Sequence, residues 1–449
     1  MKRQIIIFIC LICLVLVGFG TQTKPVGATG NNFYVSTTGS DNNPGTLAQP
    51  WFTIQHAANV AKAGDTVNIE AGTYTSTALS FSNNGSSGNP ITFQNYNGGT
   101  VNIVINDTAY DAIMLGYGPS ANYLTFSGFN VSAPTDFIGI DIWGGHINVQ
   151  NCYVTNCKDT GIGAEPSATY VTVDGCTVTG TNTTPSNEMI SFVGVNGFEI
   201  KNCLVHDPAS AFRCGIDCKQ GCSNGSIHNN VVHDIEDCPI YIDAQGIATS
   251  NINVYDNLVY NCKNNPGLAL SDEFGSATIT NINYYNNIVY NCRQGFTTNQ
   301  VGTETRNFSL INNTFYNNQN YDPGTSSLPG DEIWINTPSQ YLNNCIIRNN
   351  IIYGLTAGAY AIYYPGYANG GLSVDHNLFY NSGGTWASSN VLGTSYVTGN
   401  PLLVSPSTNF ALQSNSPAID AGSATSAPPT DYIGNSWPQG AGYDIGAYE

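Results

Sequence analysis

Charge is what this chain most lacks. Only 9% of its 449 residues are charged, with 12 Lys and Arg against 30 Asp and Glu and a net charge of −18. So few cations exclude nucleic acid as a partner, because phosphate backbones are held by Lys and Arg. They also exclude simple electrostatic capture of a polyuronate, which would need a bridging cation here. Long apolar runs are missing too, apart from one at the start. Lys2 and Arg3 precede an apolar stretch from Ile5 to Val17, then polar and small residues to about Ala28. That is the layout of a secretory signal peptide over residues 1–28, and the run is short for a membrane span. Cys10 and Cys13 lie inside it with apolar residues after them, which argues against a lipoprotein anchor. The expectation is a soluble, secreted, extracellular monomer with no membrane span.

What is present is a repeated phrase: QNCYV, DGCTV, KNCLV, HNNVV, YDNLV, YNNIV, INNTF, RNNII and DHNLF. Its middle residue falls on Cys152, Cys176, Cys203, Asn230, Asn257, Asn287, Asn313, Asn350 and Asn377, at intervals of 24, 27, 27, 27, 30, 26, 37 and 27. A period in this range means a solenoid or propeller. The units are rich in strand formers and poor in helix. None can bury a core alone, but each can by stacking on the next. The reading is an all-β chain folded as one right-handed parallel β-helix. Asn tolerates the left-handed backbone of a sharp turn. Stacked about 4.8 Å apart, the Asn side chains can hydrogen-bond one another. The three leading Cys would fill the same slot as small apolar groups.

Residues 31–75 read as an N-terminal cap and first coil, with an amphipathic helix over Thr53–Ala63 covering the open end. Coils follow over 76–400. The last stretch, 401–449, has no repeat unit and more Pro, as a C-terminal cap would. Export permits disulfides, and Cys214 and Cys238 each lie two residues before a strand-starting Ile, so they should face each other in adjacent coils. The run Cys214, Cys218, Cys222 does not have standard zinc-ligand spacing. His206-Asp207 and His233-Asp234 occupy a recurring turn slot, and a stacking role is favoured over a catalytic one.

The opening FYVSTTGSDNNPGT…PWFTIQHAANVAKAGDTVNIEAGTYT, the NN-containing coils and the closing SPAIDAG…DIGAYE resemble secreted right-handed β-helix proteins of the pectate-lyase-like superfamily. The resemblance implies the fold over nearly the whole mature chain. It also implies activity among extracellular polysaccharide lyases, glycoside hydrolases and epimerases, or a surface role. The chain carries neither a DDGWD-like calcium cluster nor an SKS-type Lys motif.

Aligning the strands before each long loop puts Ile140, Ile216, Ile240 and Leu268 inward and the alternate residues outward to solvent. One outward column reads Asp141, Gly163, Ser191, Asp217, Tyr241, Ala269, Thr297; the next reads Trp143, Glu165, Val193, Lys219, Asp243, Ser271, Asn299. Asp217, Lys219, Tyr241, Asp243, Asp272 and Glu273 thus gather on one patch, with Arg213 and Arg293 nearby. The bland alternative is a solvated face with a weak Lys219–Asp243 pair.

Two chemistries fit. The leading one is a lyase acting by β-elimination on an acidic plant or microbial polysaccharide. Asp217, Asp243 and Asp272 (with Glu273) would supply oxygens to Ca2+, and Lys219 would be the base. Asp217, Tyr241, Arg213, Arg293 and Glu165 would hold substrate. The alternative is a glycoside hydrolase using the carboxylates Asp243 and Glu273. Glu188 and Glu165 could extend a subsite, and Trp143, Tyr241 and Trp334 could stack on sugars. A non-catalytic glycan-binding or structural surface protein is the third reading.

Overall fold

The computed structural model describes residues 30–449 apart from 107–110, 119–120, 136–137, 184–187, 211–213, 263, 276, 301–305, 320–330, 365–370 and 388–390. The proposed signal peptide and Arg213 therefore lie outside the described residues. The repeat folds as a right-handed parallel solenoid. Among the described residues, the first of its three sheets has 13 strands, from Asn32–Val35 to Leu372–Asp375. The second has 11, from Leu79–Phe81 to Tyr360–Tyr363. The third has 13, from Gly72–Ser76 to Val397–Thr398. A coil visits the second, first and third sheets in turn, as Ile216–Lys219, Ser223–His228 and Val231–His233 do.

Register makes the core a set of columns. Ile140, Ile162, Ile190, Ile216, Ile240, Leu268, Phe296, Ile333 and Ile362 lie opposite one another on successive strands of the second sheet. All are fully buried, each contributing roughly 1.5–3 kcal/mol of apolar transfer.

The expected ladder is present. Asn230 Nδ2 donates to Asn257 Oδ1 at 3.0 Å, and the chain of amides continues through Asn287, Asn313, Asn350 and Asn377 at 2.9–3.0 Å. Each Oδ1 also accepts the backbone N–H of the preceding ladder residue, and each Nδ2 also reaches a backbone carbonyl. Cys152, Cys176 and Cys203 fill the same slot, and Cys203 N–H donates to Asn230 Oδ1 at 2.9 Å. One detail differs from the sequence reading. The left-handed residue is the one before the ladder: Asn151, Gly175, Asn202, Asn229, Asp256, Asn286, Asn312, Asn349 and His376 all have positive φ. The turn and the ladder are thus separate tasks on adjacent residues.

A second left-handed slot closes the third sheet at Asn156, Gly180, Asp207, Asp234, Asn261, Asn291 and Asn317. It explains the repeated His-Asp. Asp207 and Asp234 make the turn, while the rings of His206, His233, Tyr260 and Tyr290 stack at 4.7–5.0 Å.

The capping helix is shorter than expected, Ile54–Val60, with Thr53 as its N-cap. It buries Ile54, Ala57 and Ala58. Gln55 donates to the Ser80 carbonyl and accepts the Ser80 N–H, both at 2.9 Å, so a side-chain amide pairs with the exposed edge strand. Residues 401–449 fold back along the outside of the solenoid. Ile445, Ala447, Leu403 and Phe410 pack on Ile288, Ile351 and Leu378, and Asn286, Asn312 and Asn349 donate to carbonyls of this strap.

Asn287→Ala removes a buried amide bonded on both sides. It should destabilise the protein by about 2 kcal/mol or more, since its partners are left unsatisfied. Asn196→Ala, at an exposed position, should stay within about 0.5 kcal/mol of the parent. Urea unfolding of the two variants checks the contrast; equal stabilities would mean that the ladder does not hold the coils.

Candidate functional site

The outer face of the second sheet opens into a cleft of about 940 Å³. Its lining includes Glu188, Asp217, Lys219, Asp237, Tyr241, Glu273, Arg293, Thr297, Asn299, Trp334 and Asn336. Strand alternation sends these outer residues away from the core, and the loops entering each strand raise the sides. Asp217 and Lys219 come from Ile216–Lys219, and Tyr241 and Asp243 from Ile240–Asp243, paired in register so that Asp217 faces Tyr241 and Lys219 faces Asp243.

The exposure is not what the columns predict. Asp217, Asp243 and Asp272 are buried, at 1%, 0% and 0% exposure. Outward here means into a walled cleft or beneath its floor. Of the six residues gathered by the sequence, Asp217, Lys219, Tyr241 and Glu273 line the cleft; Asp243 and Asp272 do not.

Lys219 also has different partners. Its Nζ lies 2.7 Å from Glu188 Oε1 and 3.4 Å from Asp217 Oδ2. Burial pulls the Lys219 pKa down, but the Asp217 and Glu188 carboxylates outweigh it and push the pKa up. The sequence reading expected Asp243 to be the partner. Asp243 is instead tied to backbone amides, Oδ1 accepting the N–H of Gln245 in its own turn at 3.2 Å and of Glu273 in the next coil at 3.4 Å.

Asp217 is pushed well above the usual carboxylate range, first by burial, then by Glu188 and Asp243, with Lys219 opposing. Its Oδ1 has no hydrogen-bond partner among the described residues. Asp243 is raised to about 7 by burial and by Glu273, and its Oδ2 is likewise unpartnered among the described residues. The Tyr241 hydroxyl donates to Glu273 Oε1 at 3.1 Å. Burial and the Asp243 charge push the Tyr241 pKa up.

Calcium was expected on Asp217, Asp243 and Asp272. Asp272 is committed elsewhere, since Oδ1 accepts Gly246 N–H at 2.9 Å and Oδ2 accepts Ala277 N–H at 2.8 Å. That leaves Asp217 Oδ1 and Asp243 Oδ2, far short of the six to eight oxygens calcium takes. The three carboxylates do not fit a calcium site as arranged.

Arg293 lines the cleft and donates to the Asn264 carbonyl at 3.1 Å. Glu165 lies apart from the cleft, beside Asp111 and Asp141. Asp141 is raised by burial and then by the charges of Asp111 and Glu165; half-buried Asp111 is raised by burial, with a hydrogen bond from Asp141 opposing. Asp141 is three strand spacings, about 14 Å, from Asp217. Trp143 stands with it and donates to Asp141 Oδ2. Trp334 does line the cleft, and its indole N–H has no partner among the described residues.

The cysteines divide by position. Cys218 and Cys222 are fully buried in the core, and Cys222 donates to the Phe192 carbonyl. Cys214 and Cys238 face each other as expected, but on the cleft wall, and both are free thiols. Asp237 beside them was missed by sequence reasoning. Its signal was available: Asp237-Cys238 sits one coil after Cys214, directly before a strand of the second sheet.

Residues 33–202 match the family described as Pel9A-like, right handed beta helix region, and residues 138–315 match the right handed beta helix region family. The uncharacterized protein YwoF of Bacillus subtilis (strain 168) is 34% identical over 144 residues, which is 29% of this chain and 30% of that protein. The match therefore spans under a third of the relative's length. Among solved structures, pectate lyase Pel9A superposes with a TM-score of 0.59 at 17% identity, covering 94% of this chain and 97% of that one. XylC in complex with xylose gives 0.60 at 12%, covering 93% and 98%. The lacto-N-biosidase of Eubacterium ramulus gives 0.53 at 14%, covering 81% and 68%. The chain folds as a right-handed parallel β-helix, and two overlapping stretches of it match right-handed β-helix families. No helix among the described residues is long and apolar enough to cross a membrane.

The raised Asp243 pKa has a signed consequence. The folded state holds a proton that the unfolded chain releases near its ordinary value of 3.8. The resulting stability is full below about pH 4 and is lost as the pH rises through about 7. Asp243→Asn should be more stable than the parent at pH 8, with the difference vanishing at pH 4. Urea unfolding across this range tests it; parallel profiles would remove Asp243 as a titrating buried group.

Proposed function

We propose that this protein is an extracellular enzyme that cleaves a polysaccharide lying across the strands of the second sheet, by acid–base chemistry in the cleft. The observation that carries the reading is Asp217. It is a buried carboxyl that lines the cleft, holds its proton well above the usual range, and keeps Oδ1 free of any partner among the described residues. A carboxyl whose pKa is raised by burial is suited to protonate a leaving glycosidic oxygen. Glu273, which accepts the Tyr241 hydroxyl, is the second carboxylate, acting as base or nucleophile. Asp243 works behind it, holding the Glu273 backbone N–H. Lys219, kept as an ammonium by Glu188 at 2.7 Å, balances charge in a cleft lined by several carboxyl groups. Thr297, Asn299, Trp334 and Asn336 continue the lining toward the C-terminal coils and serve as sugar subsites. Structural neighbours named a pectate lyase, a xylose complex and a lacto-N-biosidase support a carbohydrate ligand on this fold.

A lyase is the second reading. Lys219 and Arg293 both line the cleft and could neutralise a uronate carboxylate. Lys219 as base requires losing its proton, which its two carboxylate partners oppose.

A panel of neutral and acidic polysaccharides separates these. Under the hydrolytic reading, new reducing ends form without ultraviolet-absorbing unsaturated products, and chelation has little effect. Asp217→Asn and Glu273→Gln should each lower turnover by roughly 10²-fold or more. Unsaturated products lost on Lys219→Ala and on chelation would establish the lyase instead. Parental processing of every glycan by all three variants would remove the cleft as the site.

A further inference from the structure

Cys214, Asp237 and Cys238 bring two Sγ atoms and a carboxylate oxygen within 4.8 Å of one another, on the side of the cleft rather than in the core. We propose that these three residues form a binding site for a thiophilic divalent cation, Zn2+ being the best match, with its remaining coordination position open to the cleft. This goes beyond the glycan-cleaving reading and does not depend on it.

The residue types are the first argument. Zn2+ takes Cys sulfur at about 2.3 Å and carboxylate oxygen at about 2.0–2.2 Å, and three protein ligands with an open fourth position is the layout of a reactive rather than a structural site. Tetrahedral sulfur donors at that bond length are about 3.7 Å apart. Reaching that spacing from within 4.8 Å needs at most about 1 Å of side-chain adjustment.

Position is the second argument. Cys214 and Cys238 precede strands paired in register, Ile216 opposite Ile240, so the backbone holds the sulfurs one strand spacing apart. Both are about nine-tenths buried, yet both line the cleft together with Tyr241. The ion would be largely enclosed by protein on one side and accessible to a ligand oxygen on the other.

The third argument is what the alternatives leave behind. Asp237 is itself half-buried beside Cys238, on a cleft that Glu188 and Glu273 also line. A Cys214–Cys238 disulfide would remove the S–H that supports this carboxylate and leave it among like charges. A bound dication satisfies all three groups and offsets the negative charge on this side of the cleft, where Lys219 is already shared between Glu188 and Asp217.

The test uses the whole mature chain, prepared reduced, incubated with Zn2+ and dialysed. The proposal expects about one zinc per chain by elemental analysis. Co2+ in place of zinc should give a thiolate-to-metal charge-transfer band. Cys214→Ser and Cys238→Ser should each weaken zinc binding by roughly tenfold or more and abolish the band. Asp237→Asn, which removes no sulfur, should weaken zinc while the band persists at higher metal. Cys345→Ser, remote from the cleft, should bind as the parent does. Equal zinc uptake by the parent and the cleft variants would overturn the proposal. So would a Cys214–Cys238 disulfide found by peptide mapping in protein folded with zinc present.

Discussion

The constraint on which the molecule depends is the spacing of one strand from the next. Every coil must return to the same place about 4.8 Å further along. Only residues that can meet copies of themselves at that distance can occupy the inner turns. Asparagine can, because its amide offers donor and acceptor on opposite sides. The ladder from Asn230 to Asn377 uses both, and still has an N–H left for a main-chain carbonyl. Loops that leave the wall are free of this rule. The ladder intervals run from 24 to 37 residues while the inner turn stays the same. The longest interval, between Asn313 and Asn350, holds Asp331–Asn336, the strand that brings Trp334 to the cleft.

The same spacing governs the electrostatics. Acidic residues on adjacent coils sit close enough to raise one another's pKa, and burial adds to the effect. Asp141, Asp217 and Asp243 are all displaced upward for these two reasons. A chain with 12 cations in all cannot neutralise such groups individually. It concentrates Lys219 and Arg293 in one cleft and lets protons serve elsewhere. Lys219 is consequently a fixed counter-charge before it is anything else.

Much of this was legible from residue order. Period and residue type located the ladder, and strand alternation placed Asp217, Lys219 and Tyr241 on one face. The cap helix followed from its apolar spacing. Burial was not legible. Columns say which way a side chain leaves the strand, but not what the loops build around it. Hence Asp217 was read as solvated, and Asp243 as a cleft residue. Partner choice was hidden for a related reason. The column puts Asp243 beside Lys219, but a lysine side chain is long enough to reach Glu188, 31 residues earlier. Asp243 is meanwhile claimed by two backbone N–H groups. Asp272 shows the same limit, because both its oxygens are spent on loop amides that no strand pattern reveals.

A fold this regular does not choose a chemistry. Superposition at 12–17% identity on a pectate lyase, a xylose complex and a lacto-N-biosidase shows shared geometry only. What distinguishes this chain is the content of two columns. One runs Ser191, Asp217, Tyr241, Ala269, Thr297, Trp334; the other runs Val193, Lys219, Asp243, Ser271, Asn299, Asn336. Over these six coils charge falls on two adjacent ones, flanked by Ser191 and Val193 on one side and by hydroxyl, amide and aromatic groups on the other, with Asp141 and Glu165 further toward the N-terminal coils. Such an order has a direction. A chain-like ligand along the columns would meet the ionisable groups at one end and neutral sugar-binding groups over the next coils. The two columns are therefore asymmetric along the solenoid, and under the proposed function the subsites on the C-terminal side would carry most of the neutral contacts to a glycan.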